Sequence, residues 1–106
     1  MNQNDRNINA LQYESFPAQQ SEGAALKYTI NYAAVLGSEE IVASTWSGNT
    51  TIATPTNTTT STAAIISGQP GHYKITNKIT TATQTHERII SLHIKRNDNS
   101  VIGDYV

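Results

Sequence analysis

The 106-residue chain contains no cysteine. Disulfide staples, thiolate nucleophiles and cysteine-ligated zinc are therefore excluded. Charge is also scarce. Seven Lys and Arg against eight Asp and Glu make up 14% of the residues and leave a formal net charge of -1. Electrostatic capture of DNA or RNA needs a basic patch that displaces counterions. Arg88, Lys95 and Arg96 come nearest to one, and acidic neighbours dilute them, so no nucleic-acid partner is expected. No apolar run approaches the length of a membrane-spanning helix, and no membrane partner is expected either. Met1 to Ala10 is polar and lacks the apolar stretch of a signal peptide. Synthesis in the cytoplasm, without the standard secretory route, is the expectation.

The hydrophobic fraction is 37%. Disordered chains pair low hydrophobicity with high net charge, and here the second half of that signature is missing. Uncharged polar residues, mainly Thr, Asn, Ser and Gln, fill the gap. The composition points to a folded domain with Thr-rich outer faces. The length suits one domain with a modest core.

The first 25 residues show no useful periodicity and are expected to form a flexible N-terminal arm. Leu11, Tyr13 and Phe16 are scattered too thinly to bury themselves, Pro17 breaks any helix, and Gln19 to Gly23 resembles a linker. These three apolar residues are the candidate anchors of an arm that orders on a neighbouring subunit. Its removal, through residue 22, is expected to leave the domain folded.

From Leu26 the pattern changes to period 2. Leu26, Tyr28, Ile30 and Tyr32 alternate with polar residues, and successive side chains of a strand point to opposite faces. Ile41 to Trp46 is a second expected strand, rich in β-branched residues, whose inward face is ambiguous. Ser47-Gly48-Asn49 is turn chemistry. Thr51 to Thr54 is a short strand closed by Pro55. Thr56 to Thr62 is expected to be a loop running into a strand at Ala63 to Ser67. Gly68-Gln69-Pro70-Gly71 is a turn. His72 to Thr80 is the clearest strand, with Tyr73, Ile75, Asn77 and Ile79 on one face. After a turn around Ala82 to Thr85, Arg88 to Lys95 puts Ile90, Leu92 and Ile94 on one face. Residues 97–106 are expected to be a C-terminal tail.

No segment sustains a 3.6-residue period. Several short strands bounded by turns predict an all-β fold, an immunoglobulin-like antiparallel β-sandwich over residues 26–96. The expected core is Tyr28, Ile30, Tyr32, Trp46, Tyr73, Ile75, Ile79, Ile90, Leu92 and Ile94. Tyr73, just after the Gly/Pro turn, fits the tyrosine corner of such sandwiches. Ile75 then occupies the place where antibody domains carry a half-cystine.

Candidates for chemistry are few. His72, His86 and His93 are the histidines. His72 and His93 could face each other across the last hairpin, and two imidazoles make a weak metal site at best. Glu39-Glu40 are adjacent residues and do not converge on one atom. Phosphate loops, glycine-rich fingerprints and His-Glu zinc helices are missing. No catalytic residue, metal or cofactor is expected, and no enzymatic activity.

The segments Leu26–Tyr32, Leu36-Gly37, Glu40–Trp46, Ser67-Gly68, Gly71 with Tyr73, Ile75–Thr81 and Glu87-Arg88 follow one another in an order and spacing that resembles the tailed-phage fibre–tail adaptors. These are small Ig-like virion structural proteins. The resemblance covers about two-thirds of the chain, from Leu26 to Arg96. It implies a non-enzymatic, multi-copy virion protein in a symmetric assembly, one that links tail fibres or spikes to the head–tail or tail assembly. The implied partners are portal, adaptor, tail or fibre subunits. An alternative is a capsid decoration protein whose partner is the major capsid protein. A carbohydrate- or host-surface-binding module is the more distant alternative.

Overall fold

The structure is a computed structural model, and it describes residues 5–96. Eight strands and one short helix follow in the order β1 (Asp5–Asn9), β2 (Ser15–Ser21), β3 (Leu26–Asn31), α1 (Ala33–Leu36), β4 (Ala43–Ser47), β5 (Thr51–Asn57), β6 (Ser61–Ser67), β7 (Gly71–Thr80) and β8 (Thr85–Lys95). They form two four-stranded sheets, ordered β1-β3-β6-β5 and β2-β8-β7-β4. Facing sheets of this order, with the chain crossing between them, make the Ig-like sandwich anticipated from the alternation.

The alternation explains the core. Leu26, Tyr28 and Ile30 of β3 point inward and meet Ile75 and Ile79 of β7 and Ile90, Leu92 and Ile94 of β8, all of them buried. Ile66 comes from β6 and Tyr32 from the end of β3. Full burial of each such aliphatic side chain contributes about 1.5–3 kcal/mol. Trp46 and Tyr73 are half-buried and pack against the edge of this cluster. The ambiguity in β4 resolves in favour of Ser44 and Trp46, which are the partly buried residues of an otherwise exposed strand.

Buried polar groups in this core are bonded to one another. Tyr32 Oη donates to Asn77 Oδ1 at 2.8 Å, and Asn77 Nδ2 donates to Ser44 Oγ and to the Thr45 carbonyl, both at 3.0 Å. Ser44 Oγ and Thr62 Oγ1 are 2.7 Å apart, and Trp46 Nε1 donates to Thr62 Oγ1 at 2.9 Å. The chain of bonds crosses from one sheet to the other. It lets Asn77 and Thr62 lie in the interior without the penalty of an unpaired polar group.

The expected arm is corrected. Over its described part, residues 5–25 belong to the sandwich, which therefore begins at Asp5 and not at Leu26. β1 pairs with β3 and β2 pairs with β8, and both pairings are parallel, so the sandwich is not wholly antiparallel. Ile8, Ala10, Ala18 and Gln20 are buried. Gln20 is the physical reason the segment reads as unstructured. A glutamine at an inward position hides the apolar alternation, yet its amide is satisfied. Nε2 donates to the carbonyls of Ile66 at 3.0 Å and Ala24 at 3.2 Å, and Oε1 accepts from Tyr28 Oη at 2.7 Å. The crossover between β1 and β2 is pinned as well. Ala10 N donates to Asn31 O, Ile89 N to Glu14 O and Arg88 Nε to Ala10 O, each at 2.9 Å.

Smaller differences have local causes. Helix α1 is a single turn after Tyr32, too short to leave a period in the sequence, and it ends at Gly37 with φ +66. β5 does not stop at Pro55. It is an edge strand, where a missing N–H costs no ladder bond, and a register shift between Ala53 and Thr56 with Thr54 at φ 43 lets it continue to Asn57. β6 and β8 begin earlier than expected, at Ser61 and Thr85. The C-terminal tail, 97–106, lies outside the described residues.

Candidate docking surfaces

The last hairpin positions the histidines. β7 and β8 pair in register from Gly71↔Ile94 to Thr80↔Thr85, which sets His72 directly opposite His93. Their rings stack, with centroids 4.2 Å apart and planes 11° from parallel. His86 stands at the other end of β8, with Nε2 2.7 Å from Gln84 Oε1. The fold thus brings two of the three imidazoles together and keeps the third away. No group of three or more His, Cys, Asp or Glu suited to a metal ion occurs among the described residues.

The start of the hairpin's first strand, next to His72, carries the corner. Tyr73 Oη donates to the Gln69 carbonyl at 2.7 Å, across the turn that separates β6 from β7. This is the bond anticipated for a tyrosine corner. Gly71 sits at φ +152, a backbone state that side chains disfavour, and a Cβ there would lie 3.3 Å from the Tyr73 hydroxyl. Glycine is needed so that the tyrosine can fold back over its own turn.

Glu39 is fixed at the opposite end of the sandwich. Its carboxylate accepts from the hydroxyls of Thr81 and Thr83 in the β7–β8 turn. Those bonds hold its pKa below the usual carboxylate value, chiefly the bond from Thr81 and then that from Thr83. The effect is to tie the α1–β4 connection to the hairpin turn.

Large apolar side chains reach solvent at a few places. Leu11 is 65% exposed and Tyr13 40% exposed, both in the crossover between β1 and β2. Val42, 71% exposed, precedes β4. Phe16 behaves differently from the other two expected anchors. It packs against the core and meets the Tyr13 ring edge-on, with centroids 5.2 Å apart. The Leu11 and Tyr13 pair was visible in the sequence as apolar residues without a partner. Exposed Val42 was not, because the ambiguous face of residues 41–46 concealed which residues point out.

A family model described as Podophage GP4 fiber-tail adaptor protein gp77 matches residues 20–93. The chain belongs to this podophage fiber-tail adaptor family. It is accordingly a structural protein of a tailed phage. The match runs from the end of β2 through most of β8. In this adaptor-family chain, β1 and the crossover bearing Leu11 and Tyr13 lie outside the matched segment. Among solved structures, the chain is similar to titin Ig tandem domains A164-A165, with a TM-score of 0.56 and 19% identity. The similarity covers 77% of this chain and 45% of that one. At that identity the likeness establishes the Ig-like fold and nothing about partners. No curated protein matches the chain.

Proposed function

We propose that the protein is a non-enzymatic adaptor of a podophage particle, present in multiple copies, that joins tail fibres or spikes to the tail or head–tail assembly. Membership of the fiber-tail adaptor family over residues 20–93 carries this reading. The sandwich supplies what such a role needs. Its interior is filled by aliphatic side chains and satisfied polar groups, so its working parts are its surfaces. Repeated copies on a symmetric particle add avidity, which allows each contact to be individually weak.

Leu11 and Tyr13 are the apolar contact points in this proposal. Phe16 acts from beneath, holding the Tyr13 ring against the sandwich. A crossover fixed by main-chain bonds loses little freedom when a partner covers it, which favours binding.

The test is the composition and map of purified particles. The expected result is stoichiometric, multi-copy protein in the virion, with density for the sandwich between the tail and the fibre bases. Its absence from particles by mass spectrometry would remove the proposal. Density on the capsid lattice away from the tail would replace it with capsid decoration.

A further inference from the structure

The two outer faces of the sandwich differ in charge. Along the β1-β3-β6-β5 sheet the outward strand positions include Asn7, Asn9, Lys27, Thr29, Asn31, Ala53 and Ser61, and Lys27 stands in register with Asp5, so the charges there balance. Along the β2-β8-β7-β4 sheet they include Lys74, Lys78 and Lys95, with Glu87 as the acidic residue. Lys78 stands in register with Glu87, a cross-strand pairing of opposite charges. Lys74 and Lys95 flank the stacked imidazoles of His72 and His93, one on each strand of the hairpin.

The relief of this face matches its charge. The imidazole stack forms a ridge with a shallow depression on either side. One lies over β7 and β8 beside Lys74 and Ser91, and the other lies over β8 and β2, floored by Pro17, Ala18 and Gln19. Each imidazole carries at least one ring N–H in any protonation state. Gln19 and Ser91 add neutral donors beside it.

Resting on the adaptor reading, we propose that the outer face of the β2-β8-β7-β4 sheet docks an acidic segment of a neighbouring virion protein. Carboxylates pair with Lys74 and Lys95, and the segment seats on the His72–His93 ridge. Charge complementarity selects this occupant. Lys74 and Lys95 stand two residues from the stacked imidazoles on their own strands, and carboxylate oxygens are acceptors that satisfy both ammonium groups and ring N–H donors.

The test is a competition among chains supplied during phage growth, read as copies per purified particle. Wild type is compared with Lys74→Glu/Lys95→Glu, with His72→Ala/His93→Ala, and with Lys27→Glu on the opposite sheet. Thermal unfolding of each purified chain controls for folding. Reversal of the two lysines is expected to lower incorporation by about tenfold or more, since juxtaposed like charges strongly disfavour association. Loss of the imidazoles should lower it several-fold, and Lys27→Glu should leave it unchanged. If a charge-reversed chain is unstable, Lys74→Gln/Lys95→Gln takes its place, with the same expected direction. Equal incorporation of wild type and the lysine variant, or an equal drop with Lys27→Glu, would overturn the docking surface and leave the adaptor reading standing. Wild-type chain missing from particles would overturn both. Two further results would reassign the face and overturn the protein partner: a solution dimer broken by the lysine variant, or binding of the isolated chain to DNA that the variant abolishes.

Discussion

The β7–β8 hairpin and the β1–β2 pair contribute to the same core by different routes. The hairpin strands are long, central, antiparallel and joined by a tight turn, and their inward residues are mostly aliphatic. β1 and β2 are edge strands that pair in parallel with distant segments and send inward Ile8, Ala10, Ala18 and a glutamine. One region is specified by its own residues and a local turn. The other is specified by where β3 and β8 already lie. Edge strands therefore need only a few inward side chains, because the neighbouring strand supplies the ladder.

This contrast can be broken at several strengths. The largest effect is expected from deleting residues 1–21, which removes both strands and uncovers Tyr28, Ile30 and Leu92. The loss is expected to reach about 5 kcal/mol or more, comparable with the whole stability of a small domain. Circular dichroism and denaturant titration of the truncated chain check it. Retention of a cooperative transition near the full-length midpoint would show that the first strands are accessory.

Single truncations sharpen the comparison. Leu92→Ala in the hairpin is expected to cost about 2–5 kcal/mol. Ile8→Ala should fall at the low end of that range, since an edge strand can shift to fill the space. Equilibrium urea unfolding of the two variants measures the difference directly. A larger cost at Ile8 than at Leu92 would invert the assignment of centre and edge.

Gln20→Ala probes the polar substitute for apolar packing. It leaves the Ile66 carbonyl and the Tyr28 hydroxyl without their partner. The expected cost is about 1–3 kcal/mol, again by urea unfolding. A neutral result would mean that water replaces the amide.

The smallest effect is a pH dependence at the turn of the hairpin. The Glu39 pKa is lowered by its bonds from Thr81 and Thr83. Its contribution is therefore present above the ordinary glutamate value, about 4.3, and is lost as pH falls through the lowered folded value. Stability measured against pH should show a weak acid limb that Glu39→Gln flattens. Parallel curves for the two proteins would rule out the linkage.

Much of this molecule is written locally. The alternation in residues 26–32, 72–80 and 88–95 identifies strands and inward faces, because side-chain direction follows sequence parity with no reference to the rest of the chain. The Gly/Pro turn before Tyr73 announces the corner for the same reason. Helix α1 and the extension of β5 through Pro55 were less legible, since one is a single turn and the other depends on being at an edge. Leu11 and Tyr13 were legible as apolar residues without partners, but not as parts of a pinned crossover. Their anchoring bonds come from Asn31, Arg88 and Ile89, far along the chain.

The sequence by itself determined that this is an all-β domain, and its alternation from Leu26 onward marked the inward parity of the clearest strands. Periodicity is a property of consecutive residues, and one sheet face is enough to read it. Only the tertiary structure decided that the polar N-terminal segment completes both sheets, one strand on β3 and one on β8. Strand partnership joins residues tens of positions apart, so no local pattern records it.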